Sequence, residues 1–355
     1  MPILTLPGLI DVHVHLRQPG GEHKEDYASG TAAALAGGVT CVLDMPNTTP
    51  PTTSADRLAA KQGLARANAR CDVGVFVGAS VDNADEIAAA APHACALKIY
   101  VNSTFGPLRV DNWELLDQHI ASWPATKMIV AHAEGDVLER VLEIARRHAK
   151  PIHIAHVATR QEIEMIAAAK ERGQQVTCEV TPHHLVLSRD DLPRLGPFGD
   201  VRPRLAGADD RAALWQHLHY VDCIATDHAP HTTEEKHSDN VPPGLPGLET
   251  TLPLMLTAVD EGRLTVERLI ELTRTNPERI FNLPPQPDTR VEVEIGPCYR
   301  LSNDRLQTRC GWTPFAGLEV AGRVVKTMLR GQTVFDGERV LAEPGSGRVL
   351  FDART

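Results

Sequence analysis

The chain has 355 residues, 42% of them hydrophobic and 23% charged, and a formal net charge of −10. That length can bury a sizeable core, as one large α/β barrel or as two domains. The acidic balance argues against a general nucleic-acid binder, and no apolar stretch approaches the roughly 20 residues of a membrane span.

The N-terminal residues have no basic n-region, and their apolar run is too short for a signal peptide. Seven cysteines, at 41, 71, 95, 178, 223, 298 and 310, are odd in number and form no Cys-x-x-Cys. A reduced, cytoplasmic protein is expected. Apolar runs that read as buried strands lie at 9–15, 39–45, 72–79, 95–101, 127–132, 151–157, 175–180 and 222–226. Helix-period segments fall between them at 24–36, 54–69, 84–91, 112–122, 135–149, 160–172 and 209–219, and two more follow at 251–261 and 265–281. This alternation predicts an α/β fold, a (β/α)8 TIM barrel of the metal-dependent hydrolase type. A doubly wound sheet is the alternative, but no Gly-x-Gly-x-x-Gly turn supports it. After Phe281 the pattern changes: Pro284, Pro285 and Pro287 break the helix, and Val291-Glu292-Val293-Glu294 alternates as a strand does. Further strand-like runs lie at 319–329 and 332–341. The expected organisation is a catalytic barrel, 1–285, with a small β-rich appendage, 286–355, packed on it.

In such a barrel the chemistry sits at the C-terminal ends of the strands. The first strand delivers His13 and His15 on one face, with Arg17 one step further. Taken alone, His-x-His is more often a structural pair at a strand end. Later strands answer it: Asn47 follows the second, Lys98 lies in the fourth, and His132 ends the fifth. His156 follows the sixth, Glu179 ends the seventh with His183 and His184 just beyond, and Asp227 closes the eighth. His153, three residues before His156, is expected to face the other way and to be structural. Lys98 stands within Ala-Leu-Lys-Ile-Tyr-Val, where an unpaired ammonium is costly. A snorkelling lysine or a buried ion pair is the ordinary explanation. The alternative is a lysine neutralised by desolvation, able to add carbon dioxide and become a metal-bridging carbamate. With four histidines around it, the carbamate is the stronger reading.

The pattern resembles the amidohydrolase superfamily, and specifically the dihydroorotases, over nearly the whole chain. The resemblance rests on His13-x-His15-x-Arg17-x-Pro19-Gly20, Asp44-Met45-Pro46-Asn47-Thr48, Leu97-Lys98-Ile99-Tyr100, Ala131-His132-Ala133-Glu134, His153-Ile154-Ala155-His156 and Thr226-Asp227-His228-Ala229-Pro230-His231. Gly-Gly-x-His-Lys-Glu-Asp at 20–26, Cys178-Glu179-Val180-x-Pro182-His183-His184-Leu185 and Pro246-Gly247-Leu248-Glu249-Thr250 are similar to the dihydroorotase domain of the animal multifunctional pyrimidine-synthesis protein.

The resemblance implies two zinc ions. His13, His15 and Asp227 would hold the first, His132 and His156 the second, and carboxylated Lys98 would bridge them. It implies reversible cyclisation of N-carbamoyl-L-aspartate to L-dihydroorotate in pyrimidine (UMP) biosynthesis, with a metal-bridging hydroxide as nucleophile and Asp227 as general acid/base. Arg17, Asn47 and His231 would read the α-carboxylate, and Arg202 with Pro243 and Gly244 the ring-amide side. Thr104 and Phe105 belong to a stretch resembling the family's closing loop. Glu179 is a candidate for supporting the ligands or for an extra metal. A homodimer, alone or in a larger pyrimidine-synthesis assembly, is the family expectation, with neither nucleic acid nor membrane as partner. The alternatives are a related cyclic-amide hydrolase of the allantoinase or hydantoinase kind, and a non-catalytic scaffold.

Overall fold

Eight short strands, rich in β-branched and aliphatic residues and buried along almost their whole length, line up in parallel around a common axis: Leu9–Val14, Val39–Asp44, Asp72–Val75 continued by Val77–Gly78, Leu97–Tyr100, Ile129–His132, Ile152–Ile154, Val176–Val180 and Cys223–Ile224. This computed structural model describes residues 2–352, apart from the side chains of Pro297 and Cys298. Burial on both faces is what near-continuous apolar strands require. The third strand is interrupted at Phe76, whose N–H donates to the carbonyl of Asp44 (3.0 Å). The ring closes through a parallel bridge between Val14 and His228, where the N–H of His15 donates to the carbonyl of His228 (2.8 Å). The barrel expected from the periodicity is therefore present, with all eight strands near their expected places.

Helices Tyr27–Ala36, Ala55–Asn68, Trp113–Ser122 and Arg160–Glu171 start where Asp26, Ser54, Asn112 and Thr159 accept from first-turn N–H groups. Such a cap is worth about 1 kcal/mol. Helices Asp136–Arg147, Ala208–Gln216 and Thr251–Asp260 complete the outer layer. The helix expected at 84–91 is only a 3-10 turn, Ile87–Ala90. Its alanines offer little apolar face to bury, and Pro92 stops it within one turn. The segment 265–281 forms Val266–Ile270, a wide π turn at Glu271–Thr275 and Asn276–Ile280, because Pro277 brings no N–H to a regular ladder.

One apolar cluster fills the space between strands and helices. A second fills the barrel's floor, where Ile10, Cys41, Phe76 and Cys223 meet Phe281, Leu283 and Leu350. The C-terminal segment completes this floor: Val73 N–H donates to Arg348 (2.8 Å), and Leu350 N–H donates back to Val73 (2.8 Å). Gly347 permits the approach, since a Cβ there would stand 2.0 Å from the carbonyl oxygen of Cys71.

The appendage is a four-stranded antiparallel sheet in the order Ile3–Pro7, Arg290–Arg300, Glu319–Leu329, Gln332–Phe335. Ile3–Pro7, which precede the first barrel strand, pair with residues 290–294 as an outer strand of this sheet. The last strand stops at Phe335, short of the expected 341, because the chain turns at Asp336 and Gly337 (φ 95°) to bring Val340 back opposite Phe335. Gly322 lets the sheet sit on Leu256 of the Thr251–Asp260 helix. Among the described residues no helix is long and apolar enough to cross a membrane.

Candidate metal centre and substrate mouth

The polar residues of the site begin where the strands stop. Arg17, His156 and Asp227 take left-handed backbone angles (φ 62°, 37° and 47°), each costing on the order of 1 kcal/mol for a side chain with a Cβ. Behind them, buried Asp11 accepts from the N–H groups of His13 (3.1 Å) and Thr226 (3.2 Å), tying the first strand to the eighth. Burial pushes the Asp11 carboxyl up to about 7.

The ligand set is organised by its hydrogen bonds. His13 Nδ1 lies 2.5 Å from Glu179 Oε1, so its proton sits there and Nε2 presents a lone pair. That Nε2 is 3.4 Å from Asp227 Oδ1 and 3.5 Å from Lys98 Nζ. His15 donates from Nδ1 to Asn47 Oδ1 (2.8 Å), which leaves its Nε2 as a lone pair 2.9 Å from the same Asp227 oxygen. Burial lowers His15 to about 4, keeping it neutral at pH 7. Burial opposes ionisation of Asp227, but His13, His15 and His156 outweigh it and hold the carboxyl well below its usual range. An ionised carboxylate thus faces imidazole lone pairs, an arrangement that a cation between them reconciles.

His156 adds to the case. Among the described residues its buried Nδ1 has no hydrogen-bond partner, and donor atoms of His13, His156 and Asp227 lie within 4.8 Å of one another. Imidazole nitrogens with a carboxylate suit zinc. Lys98 is fully buried and, among the described residues, has no carboxylate on its ammonium; burial lowers it to about 8, so part of the amine is neutral near physiological pH. His132 stands beside His156 (ring centroids 4.4 Å), but its Nε2 is bonded to Glu134 Oε1 (2.8 Å).

Glu179 has both oxygens engaged. Oε1 takes His13 Nδ1 and the N–H of His156 (3.2 Å), while Oε2 takes His153 Nε2 (3.0 Å). Burial opposes its charge, yet His13 and His153 hold it far below the ordinary range. His153 is thus corrected: it faces into the barrel, on Phe281 at 5.5 Å, rather than away. The two-residue strand period does not extend past Ile154, because His156 already lies in a left-handed kink. His184 is satisfied by Thr181 (2.7 Å) and the carbonyl of Pro203 (3.2 Å).

A cationic mouth adjoins this cluster. Arg17 donates from Nε to the carbonyl of Pro230 (3.0 Å), and its Nη2 is 3.1 Å from His231 Nε2. Asn47, while accepting from His15, donates to the carbonyl of Phe105 (3.0 Å) and so ties the 102–106 loop to the site. The Phe105 ring meets His231 edge-on at 5.0 Å, with the Arg17 guanidinium 5.2 Å and Lys24 Nζ 4.8 Å from its centroid. Pro243 reaches His231 through its carbonyl (3.1 Å). Gly244 (φ 135°) leaves room for Ala229, whose carbonyl oxygen would lie 2.6 Å from an added Cβ. Arg202 stands apart, donating to Asp200 Oδ1 (2.5 Å) and to Val201 (2.9 Å). Thr104 is half-buried beside Phe105 on the same loop.

Sequence reasoning assigned no role to Asp11, Lys24 or Lys236. Lys236 is buried beneath Trp312 and donates to the carbonyls of Asp200 (3.2 Å) and Pro242 (2.9 Å), shaping the loop that carries Pro243. The available signal was a charged residue inside a motif, Lys24 within Gly-Gly-x-His-Lys-Glu-Asp.

A closed parallel barrel with nitrogen and carboxylate donors at its C-terminal mouth defines the metal-dependent amidohydrolase class. Comparison narrows this. The family described as Dihydro-orotase-like matches residues 3–148. A dihydroorotase of Halobacterium salinarum is 37% identical over 382 residues, covering 96% of this chain and 88% of that protein. The chain belongs to the dihydroorotase family. It is also similar to the multifunctional protein CAD of Squalus acanthias, at 51% identity over 347 residues, covering 98% of this chain but spanning only 16% of that relative's length. Among solved structures, the L-hydantoinase (dihydropyrimidinase) of Arthrobacter aurescens superposes with a TM-score of 0.93 at 26% identity, covering 98% of this chain and 88% of that one.

Proposed function

We propose that this chain is a dihydroorotase that interconverts N-carbamoyl-L-aspartate and L-dihydroorotate in pyrimidine biosynthesis. The observation that carries the reading is that the Arg17 guanidinium, with Asn47 and His231 alongside, stands directly beside the donor cluster, since His15 donates to Asn47 and its Nε2 faces Asp227 at 2.9 Å. His13, His15 and Asp227 would hold one zinc ion, His132 and His156 a second, with carboxylated Lys98 between them. Ions held there supply Lewis-acid polarisation of a carbonyl and a water acidic enough to ionise near pH 7.

The chain's own groups do the rest. Arg17 offers planar donors to the α-carboxylate, with Asn47 and His231 alongside. In the hydrolytic direction Asp227 takes the proton of the attacking water at a carboxylate oxygen. It returns that proton to the ring nitrogen as the carbon–nitrogen bond breaks, and cyclisation runs the same transfers in reverse. Glu179, anchored by His153, keeps the proton of His13 on Nδ1. His132 would have to release Glu134 or ligate through its other nitrogen. Phe105, seated on His231, covers the mouth and limits water during the transfer. Arg202, Pro243 and Gly244 would border the ring-amide side, with Thr104 on the loop above. The buried free thiols of Cys41, Cys71, Cys95, Cys178, Cys223 and Cys310 fit a reduced cytoplasmic setting, and the homodimer and larger assembly remain the family expectation.

A hydantoinase-like activity is the second reading, favoured by the superposition on L-hydantoinase. Turnover of dihydroorotate, carbamoyl aspartate, hydantoin and allantoin by zinc-loaded and chelator-stripped protein separates the two. Metal-dependent turnover confined to the acidic pair is expected; preference for the neutral rings overturns the reading. Arg17→Ala should raise KM for carbamoyl aspartate about 100-fold, the size of a lost bidentate charge-assisted contact, with bound zinc unchanged.

A further inference from the structure

His231 is buried among cations. Its Nδ1 faces Lys24 Nζ at 3.2 Å, and its Nε2 lies 3.1 Å from both the Pro243 carbonyl oxygen and Arg17 Nη2. Burial, then Arg17, Lys24 and Lys236, keep the imidazole neutral. A neutral ring carries one proton, and the Nε2 side cannot decide where it sits, because an acceptor and a donor lie at equal range. The Nδ1 side decides. An ammonium has three donors and no acceptor, so Nδ1 must accept and the proton belongs on Nε2. The Glu235 carboxylate is 3.6 Å from Nδ1, beyond a normal hydrogen bond, and its other oxygen binds Lys24 at 2.9 Å.

We propose that Lys24 is a positioning residue that fixes His231 as the Nε2–H tautomer, so that Arg17 and His231 both meet a substrate carboxylate as donors, the His231 Nε2–H exchanging the Pro243 carbonyl it reaches in the free site for the carboxylate. With the proton on Nε2, the ring offers Arg17 Nη2 no lone pair, and that N–H is left for the carboxylate. The opposite tautomer engages Arg17 with the ring and turns a lone pair toward the anion. Lys24 need not touch substrate: Glu235, the Phe105 ring and His231 already surround its ammonium. The kinetic half of this inference rests on the dihydroorotase reading; the tautomer rests on geometry alone.

The test uses zinc-loaded protein labelled with ¹⁵N-histidine, with His231 identified by its loss from the spectrum of His231→Gln. Long-range ¹H–¹⁵N correlations distinguish the two tautomers. The parent should show Nε2–H, and Lys24→Met should show Nδ1–H or a mixture. In the same variant KM for carbamoyl aspartate should rise about tenfold or more, as for one charge-assisted hydrogen bond, with kcat within about threefold. Lys24→Arg should restore both readouts, and Glu235→Gln, which keeps the ammonium, should keep Nε2–H. A parent showing Nδ1–H overturns the proposal even if Lys24→Met fails to fold, and so does a folded Lys24→Met with an unchanged tautomer. A parent with Nε2–H but no turnover would sink the dihydroorotase reading while supporting the role of Lys24.

Discussion

The two ends of the barrel are built on opposite terms. At the floor, Ile10, Cys41, Phe76 and Cys223 close against Phe281, Leu283 and Leu350, and apolar contact does almost all the work. At the mouth, His13, His15, Lys98, His156, Glu179 and Asp227 are equally buried but are held by hydrogen bonds and by backbone angles that a free chain avoids. Stability is concentrated at one end so that the other can hold charges and strained residues in place. The contrast also says where substitutions should be felt: in melting at the floor, in chemistry at the mouth.

The largest effect should come from Lys98→Ala. Activity should fall roughly a thousandfold or more as the bridge proposed for Lys98 is lost, while the melting temperature changes little. Two zinc ions retained with full turnover would break the contrast at its strongest point, and metal analysis beside a melt decides it. Leu350→Ala is the mirror experiment. Removing a buried leucine should cost about 2–3 kcal/mol of stability and leave kcat/KM of the folded enzyme unaltered. A large kinetic defect there would mean that floor and mouth are mechanically coupled.

Asp11 lies between the two ends and sharpens the comparison. Its carboxyl is raised by burial to about 7, above its value in the unfolded chain. Between those values the folded state binds the extra proton, so this group's contribution to stability is full below about pH 4 and is lost as pH rises through about 7. Asp11→Asn removes the titration while keeping one acceptor. Measured against the parent, the variant should gain relative stability from pH 4 to pH 8, by at most on the order of 4 kcal/mol. Parallel stability curves would show that Asp11 is ionised at little cost throughout.

The floor and the barrel were legible because apolar periodicity is a local signal. The runs at 39–45 and 175–180 become strands almost residue for residue. The mouth was legible for a different reason: His13, Lys98 and Asp227 interrupt apolar runs where a packed core has no use for them. Pairings without a period were not legible. Ile3–Pro7 finds its partner near residue 292, and nothing in five residues announces that. His153 was misplaced because counting faces fails once a strand kinks. Lys24 sits in a loop, where only three-dimensional proximity to His231 gives its charge a meaning.

The segment that completes the floor also dictates a schedule of synthesis. Arg348 bonds Asp72 across 276 residues of sequence, and Leu350 reaches the third strand by the same route. During translation the barrel must wait with its base open, its lower layer wet, until that segment leaves the ribosome. Long-range closure of this kind slows folding and prolongs exposure of sticky surface. A segment made after all eight strands is therefore the one that seals the third of them away from water.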